Sequence, residues 1–208
     1  MMQTIERRLK RFLSHRFDIA SAVAPDPSLP APLQTLYDGF NGGFYWQRAL
    51  LIRPLHKTEG APLPVTEWND TALWKREYGD ICEDVFFFAD DVFGGQFGLQ
   101  DNRVVQFDPE TAGLEEVAKT LDGWCKEILR DPEFYTGFPV LHAWEQEKGQ
   151  IPAGFRLIPK QPFMLGGDFD ASNMVSKPDV EGMKIRAQLW TLTKDLPDGQ
   201  TIVFRVEE

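Results

Sequence analysis

Histidine and cysteine are scarce in this 208-residue chain, at three and two residues respectively. Two cysteines, Cys82 and Cys125, are too few for a disulfide scaffold and do not have the spacing of paired metal ligands. His15, His56 and His142 stand far apart, and none belongs to a His-Glu-x-x-His pair. Also missing are the Gly-x-Ser-x-Gly elbow of a hydrolase and the Gly-Lys-Ser/Thr of a phosphate loop. Gly94-Gly95-x-x-Gly98 lacks the first Gly-x-Gly of a dinucleotide fingerprint. No run approaches the ~20 apolar residues of a membrane span, and residues 1–8 lack the apolar stretch of a secretory leader. Together these absences predict a cytoplasmic, non-enzymatic protein without metal, cofactor or membrane contact.

Basic residues are outnumbered, 22 against 32 acidic, for a formal net charge of -10. The imbalance is local. Residues 80–122 hold eleven carboxylates against Arg103 and Lys119, whereas the first twenty residues carry five basic groups against Glu6 and Asp18. An acidic middle cannot neutralise phosphates, which excludes nucleic acid as its partner. It suits a basic protein surface, reached by long-range attraction.

Aromatic residues are plentiful, with 16 Phe and 6 Trp, so a packed core is expected. Residues 85–89 form a continuous apolar run, the pattern of a strand buried on both faces. Residues 96–99 and 103–107 read as two more strands, joined through Gln100-Asp101-Asn102 and closed by Asp108-Pro109-Glu110-Thr111. The spacing of Ile5, Leu9, Phe12 and Leu13 predicts a basic amphipathic first helix capped by Thr4. Four prolines in residues 21–32 predict an extended linker. Pro32 opens a second helix, which carries Leu33, Leu36, Tyr37 and Phe40 inward. Residues 44–46 and 49–52 read as a strand pair, and residues 69–78 as a short helix. Leu114, Val117, Leu121, Trp124, Cys125 and Ile128 keep helical spacing, which predicts one long helix ended by Asp131-Pro132. A shorter helix follows at 139–147, then irregular strands at 151–167, a helix opened by Pro178 and a final strand at 201–206.

The pattern predicts an α+β fold, a mainly antiparallel central sheet flanked by helices. The expected organisation is an N-terminal helix and linker (1–31), a core (32–148) and a C-terminal extension packed on it (149–208).

Asn41-Gly42-Gly43, Trp68, Trp74, Phe88-Ala89-Asp90-Asp91-Val92-Phe93-Gly94-Gly95-Gln96-Phe97 and Phe107-Asp108-Pro109-Glu110-Thr111 together resemble the SUKH superfamily over residues 32–129. That superfamily holds many bacterial immunity proteins and a yeast cell-wall-synthesis regulator. Pro162-Phe163-Met164-Leu165-Gly166-Gly167-Asp168-Phe169-Asp170 with Asn173 also looks like the C-terminal part of immunity proteins of type VI secretion systems. The resemblance implies a twisted sheet flanked by helices and a protein that neutralises a cognate toxin. On this reading Asp80, Glu83, Asp84, Asp90, Asp91, Asp101, Asp108 and Glu110 meet a basic toxin surface, such as the phosphate-binding face of a nuclease, with Trp46 and Trp68 as surface anchors. Two alternatives stand beside it. One is a regulatory scaffold or small-ligand module. The other is a metal-assisted hydrolase built from Asp90, Asp91, Asp108 and Glu110, against which carboxylates in turns routinely cap backbone N–H groups.

Overall fold

A computed structural model describes residues 8–17, 27, 29–197, 199–200 and 202–204. Seven strands lie in chain order in one sheet, each antiparallel to the next. They are β1 (Leu13–Arg16), β2 (Gly43–Tyr45), β3 (Leu50–Ile52), β4 (Phe86–Asp91), β5 (Gln96–Gln100), β6 (Arg103–Asp108) and β7 (Gly113–Ala118). Around the sheet stand α1 (Ala31–Leu36), α2 (Val65–Trp68), α3 (Leu121–Arg130), α4 (Pro132–Thr136), α5 (Phe138–Lys148) and α6 (Asp179–Thr193). A separate hairpin joins β8 (Phe155–Pro159) to β9 (Met174–Pro178). The fold is α+β.

The central meander follows from its turn chemistry. Asp101 and Asn102 take φ of 49° and 63°, the left-handed pair that a two-residue hairpin needs. Strand β4 is covered on both sides, because successive side chains alternate across a sheet. Phe88 packs with Phe97 and Trp124 in one apolar cluster, and Phe87 with Trp74 and Phe107 in a second. α3 and α5 contribute Trp124, Ile128 and Leu141 to the first, while Trp68, Tyr78 and Met183 belong to the second. The register slips between Phe87 and Ala89, and Asn69 bonds both the N–H and the C=O of Phe87 at that bulge. Across from it, a Cβ on Gly98 would collide with Val85 and Phe87, so only glycine lets the second cluster close there.

Four expectations need correction. The long helix is two elements: residues 113–118 form the edge strand β7, and α3 starts at Leu121. The Thr120 hydroxyl accepts the Gly123 N–H, a cap that starts a helix rather than continuing one. β7 gives β6 its ladder partner, a need that periodicity cannot register. Near the N-terminus, Leu13 belongs to β1 instead of a helix, while Thr4, Ile5 and most of the Pro-rich stretch lie outside the described residues. The helix expected over residues 69–78 is absent: α2 ends at Trp68, residues 69–74 turn, and a 3-10 helix covers Lys75–Cys82. Trp68 and Trp74 would point about 120° apart on one continuous helix, whereas the break buries both, with the Trp74 indole N–H donating to the Trp68 carbonyl at 3.0 Å. Of the final strand, residues 202–204 have no strand pairing, and its other residues lie outside the described part.

Candidate functional site

Four charged side chains meet inside the protein. Asp90 is fully buried at the end of β4, between Arg53 and Arg156, both also buried. Arg156, from β8, donates Nε to Asp90 Oδ1. Arg53 Nη2 lies 2.8 Å from Asp90 Oδ2 and donates to Asp179 Oδ2 at 3.1 Å. Asp179 opens α6, where a carboxylate faces the positive end of the helix and accepts the Val180 N–H. The Arg53 guanidinium rests 3.3 Å from the Trp68 ring centre, and the Trp68 indole donates to Gln96. With two cations pressed on it, Asp90 is spent as a structural counter-ion.

One strand position later the surroundings change. Asp91 Oδ1 accepts the N–H groups of Phe93 and Gly95 at 2.8 and 2.9 Å, and the residue lines a cleft of about 640 Å3. The cleft opens between the β4–β5 and β6–β7 turns, the α4–α5 corner, residues 163–169 and α6. Glu110 is buried in its wall, with Oε2 accepting the Met164 N–H at 2.9 Å. Arg186 of α6 comes through beside Gly94 to donate to the Phe93 carbonyl. Gly94 has φ +78°, and a Cβ there would sit 2.5 Å from the guanidinium. Asp108, Glu115 and Glu133 are exposed at the mouth, together with Phe134, Phe169 and Met164, which are 72, 65 and 39 % exposed.

The expected acidic surface is therefore not one surface. Asp90 and Trp68 are fully buried, and Asp91 and Glu110 nearly so, which leaves none of the four as an exposed contact. Trp46 is 9 % exposed and stacks on Phe12 at 4.3 Å. Asp80, Glu83 and Asp84 are exposed near the end of the 3-10 helix, and Asp101 at the opposite end of β5 from the cleft. Only Asp91, Asp108 and Glu110 come together, at the cleft. Asp108 accepts from Glu110 N–H and the Thr111 hydroxyl, so much of its capacity goes to closing its turn. Sequence reasoning missed Phe134, Glu115, Glu133 and Arg186. Phe134 had one available signal, a large apolar residue placed just after the Asp131-Pro132 helix stop.

Among the described residues no three His, Cys, Asp or Glu converge on a common point as metal ligands would. Burial pushes the Cys82 and Cys125 thiols up to about 12, so neither is a ready nucleophile at neutral pH. Among those residues, too, no helix is long and apolar enough to cross a membrane.

Burial also raises Asp91 from the ordinary 3.8 to about 7, against the backbone N–H bonds and the Arg186 charge that favour its anion. Glu110 is raised for the same first reason. A carboxyl whose folded pKa is raised binds its proton more tightly when folded. Its stabilisation is full below about 4 and disappears as pH rises through about 7. Asp91→Asn keeps the acceptor for Phe93 and Gly95 without the buried charge. The variant is expected to match the wild type near pH 4 and to exceed it at pH 8 by up to about 4 kcal/mol in urea unfolding. A wild-type advantage at pH 8 would contradict this.

No protein-family model matches the sequence, and no curated protein does. Among solved structures, the crystal structure of Atu4351 from Agrobacterium tumefaciens is similar, with a TM-score of 0.59 over 88 % of each chain and 14 % identity. At that identity the likeness speaks for the fold alone.

Proposed function

We propose that this chain is a non-enzymatic immunity protein, which neutralises a toxin with a basic surface by binding it at the cleft mouth. The observation that carries this is the coincidence of Phe134, Phe169 and Met164, all exposed, with carboxylates around a single concavity. Large exposed apolar side chains ringed by polar groups have the anatomy of a protein contact, where buried aromatics dominate the affinity and charges steer approach. The SUKH-like motifs support the choice of a toxin as partner. So does the segment resembling type VI immunity proteins, which contributes Phe163, Met164 and Phe169 to the cleft.

Charge reversal at Asp90 and Asp91 would disturb the interior rather than probe a contact, so the test belongs at the mouth. Glu115→Lys with Glu133→Lys is expected to slow association with the toxin about tenfold at low salt and to flatten its salt dependence. Phe134→Ala and Phe169→Ala are each expected to weaken binding roughly 30-fold, through faster dissociation. The partner would come from a pull-down washed at rising salt, and its identity as a toxin from growth arrest when expressed alone. Rescue by the wild-type protein but not by the Phe134→Ala/Phe169→Ala variant supports the proposal. Capture of several housekeeping proteins and no toxin counts against it.

The cleft volume favours a second reading, a small-ligand-binding module, because about 640 Å3 falls within the range of small-molecule sites.

A further inference from the structure

Resting on the cleft mouth as the contact surface, we propose that the cleft receives a single arginine side chain of the partner. Its guanidinium would lie against the Phe163–Phe169 wall and pair with Glu110. Three features of the cleft point to this chemistry. The first is charge: among the described residues its lining has five carboxylates and one guanidinium. The second is an acceptor without a well-formed bond. Glu110 is 3 % exposed; Oε2 takes the Met164 N–H and the Phe163 N–H also lies near enough to favour the anion, yet Oε1 is buried with no well-formed hydrogen bond among the described residues. A buried carboxylate oxygen left in that condition is costly, and a charged donor would relieve it.

The third is an aromatic wall. Phe163 and Phe169 stack at 3.8 Å, and both meet Phe93 edge-on at 5.5 and 5.9 Å. Phe169 is 65 % exposed, so part of its ring is open to a visitor. Planar cations stack on such rings while donating sideways to a carboxylate, a combination that suits arginine better than the compact ammonium of lysine.

The resident Arg186 does not fill this role. Its Nε donates to the Gly182 carbonyl and Nη1 to the Phe93 carbonyl, with Nη2 3.6 Å from Met183 Sδ. None of these bonds reaches Glu110, so Arg186 favours the anion at a distance without donating to Oε1.

The probe is acetyl-Gly-Arg-Gly-amide, titrated into the isotope-labelled full chain at physiological salt, with the neutral citrulline peptide as control. The expected result is saturable shifts confined to Gly94, Gly95, Gly137 and the Met164 methyl, from the arginine peptide alone. Glu110→Gln, which keeps an acceptor for Met164, should weaken binding at least about tenfold. Phe169→Ala, an exposed change that leaves the core intact, should weaken it several-fold. Equal shifts from the citrulline peptide, shifts scattered over the acidic surface, or undiminished binding in both variants would overturn the inference. Growth rescue does not enter this measurement. Failure of the wild-type protein to rescue growth, with peptide binding intact, defeats the immunity reading alone, and wild-type rescue without arginine-specific shifts defeats this inference alone.

Discussion

Asp90→Ala is expected to cost about 3–5 kcal/mol in urea unfolding at neutral pH, the largest effect of any single charged residue here. The reason is what it leaves behind. Arg53 is fully buried and Arg156 is 2 % exposed, and both point at the same carboxylate. Arg53 would retain Asp179, whereas among the described residues Arg156 would keep the Phe155 carbonyl, a neutral acceptor, and the Phe44 ring 5.8 Å away, and no counter-charge. An uncompensated guanidinium in a dry interior is far more expensive than the ion pair was favourable. The same argument predicts strong coupling. In an Arg53→Met/Arg156→Met background, Asp90→Ala should cost much less, because the orphaned charges have gone as well. A single-variant cost below about 1 kcal/mol, or additive costs across that cycle, would show that water or local rearrangement relieves the arginines.

Trp68→Ala is expected to cost a similar amount, about 3–5 kcal/mol, from the lost packing and the cavity left behind. The indole does three jobs at a position with no exposure. Its ring packs on Trp74 at 5.3 Å, its face carries Arg53, and its N–H donates to Gln96. Trp68→Phe separates them, since it keeps most of the packing and a face for the cation but removes the donor. Its expected cost is about 1–2 kcal/mol, mostly for the stranded Gln96 carbonyl. If Trp68→Ala proved nearly neutral while Trp46→Ala did not, the second apolar cluster would not be cooperative with the sheet.

The two variants also separate stability from binding. Neither Asp90 nor Trp68 lines the cleft, so any loss of partner binding in their variants should follow the folded fraction. Phe134→Ala and Glu133→Lys lie on exposed positions and should change binding with little change in unfolding midpoint.

Much of the meander was legible because its signals are local. The buried run at 85–89, the Asp101-Asn102 turn and the α6 pattern after Pro178 depend on neighbours a few residues away. The same locality misled at 114–128. Leu114, Val117 and Leu121 have helical spacing in a segment whose first half pairs with β6. Periodicity reports which residues seek burial, and the requirement for an edge partner came from elsewhere in the chain.

The acidic residues show the limit most clearly. Sequence determined that residues 80–122 are rich in carboxylates and that the interior would be aromatic. It could not assign the carboxylates to places, because exposure depends on what the distant C-terminal residues cover. Arg156 and Asp179 turn Asp90 into the centre of a buried network, and Arg186 with Met164 encloses Asp91 and Glu110 in a cleft wall. Those partners lie 54 to 126 residues away along the chain from the groups they meet. Net charge and composition are sums over residues and survive any fold. Burial, pairing and the raised pKa of Asp91 are properties of neighbours in space, which only the packing of α6 and the β8–β9 hairpin against the sheet decided.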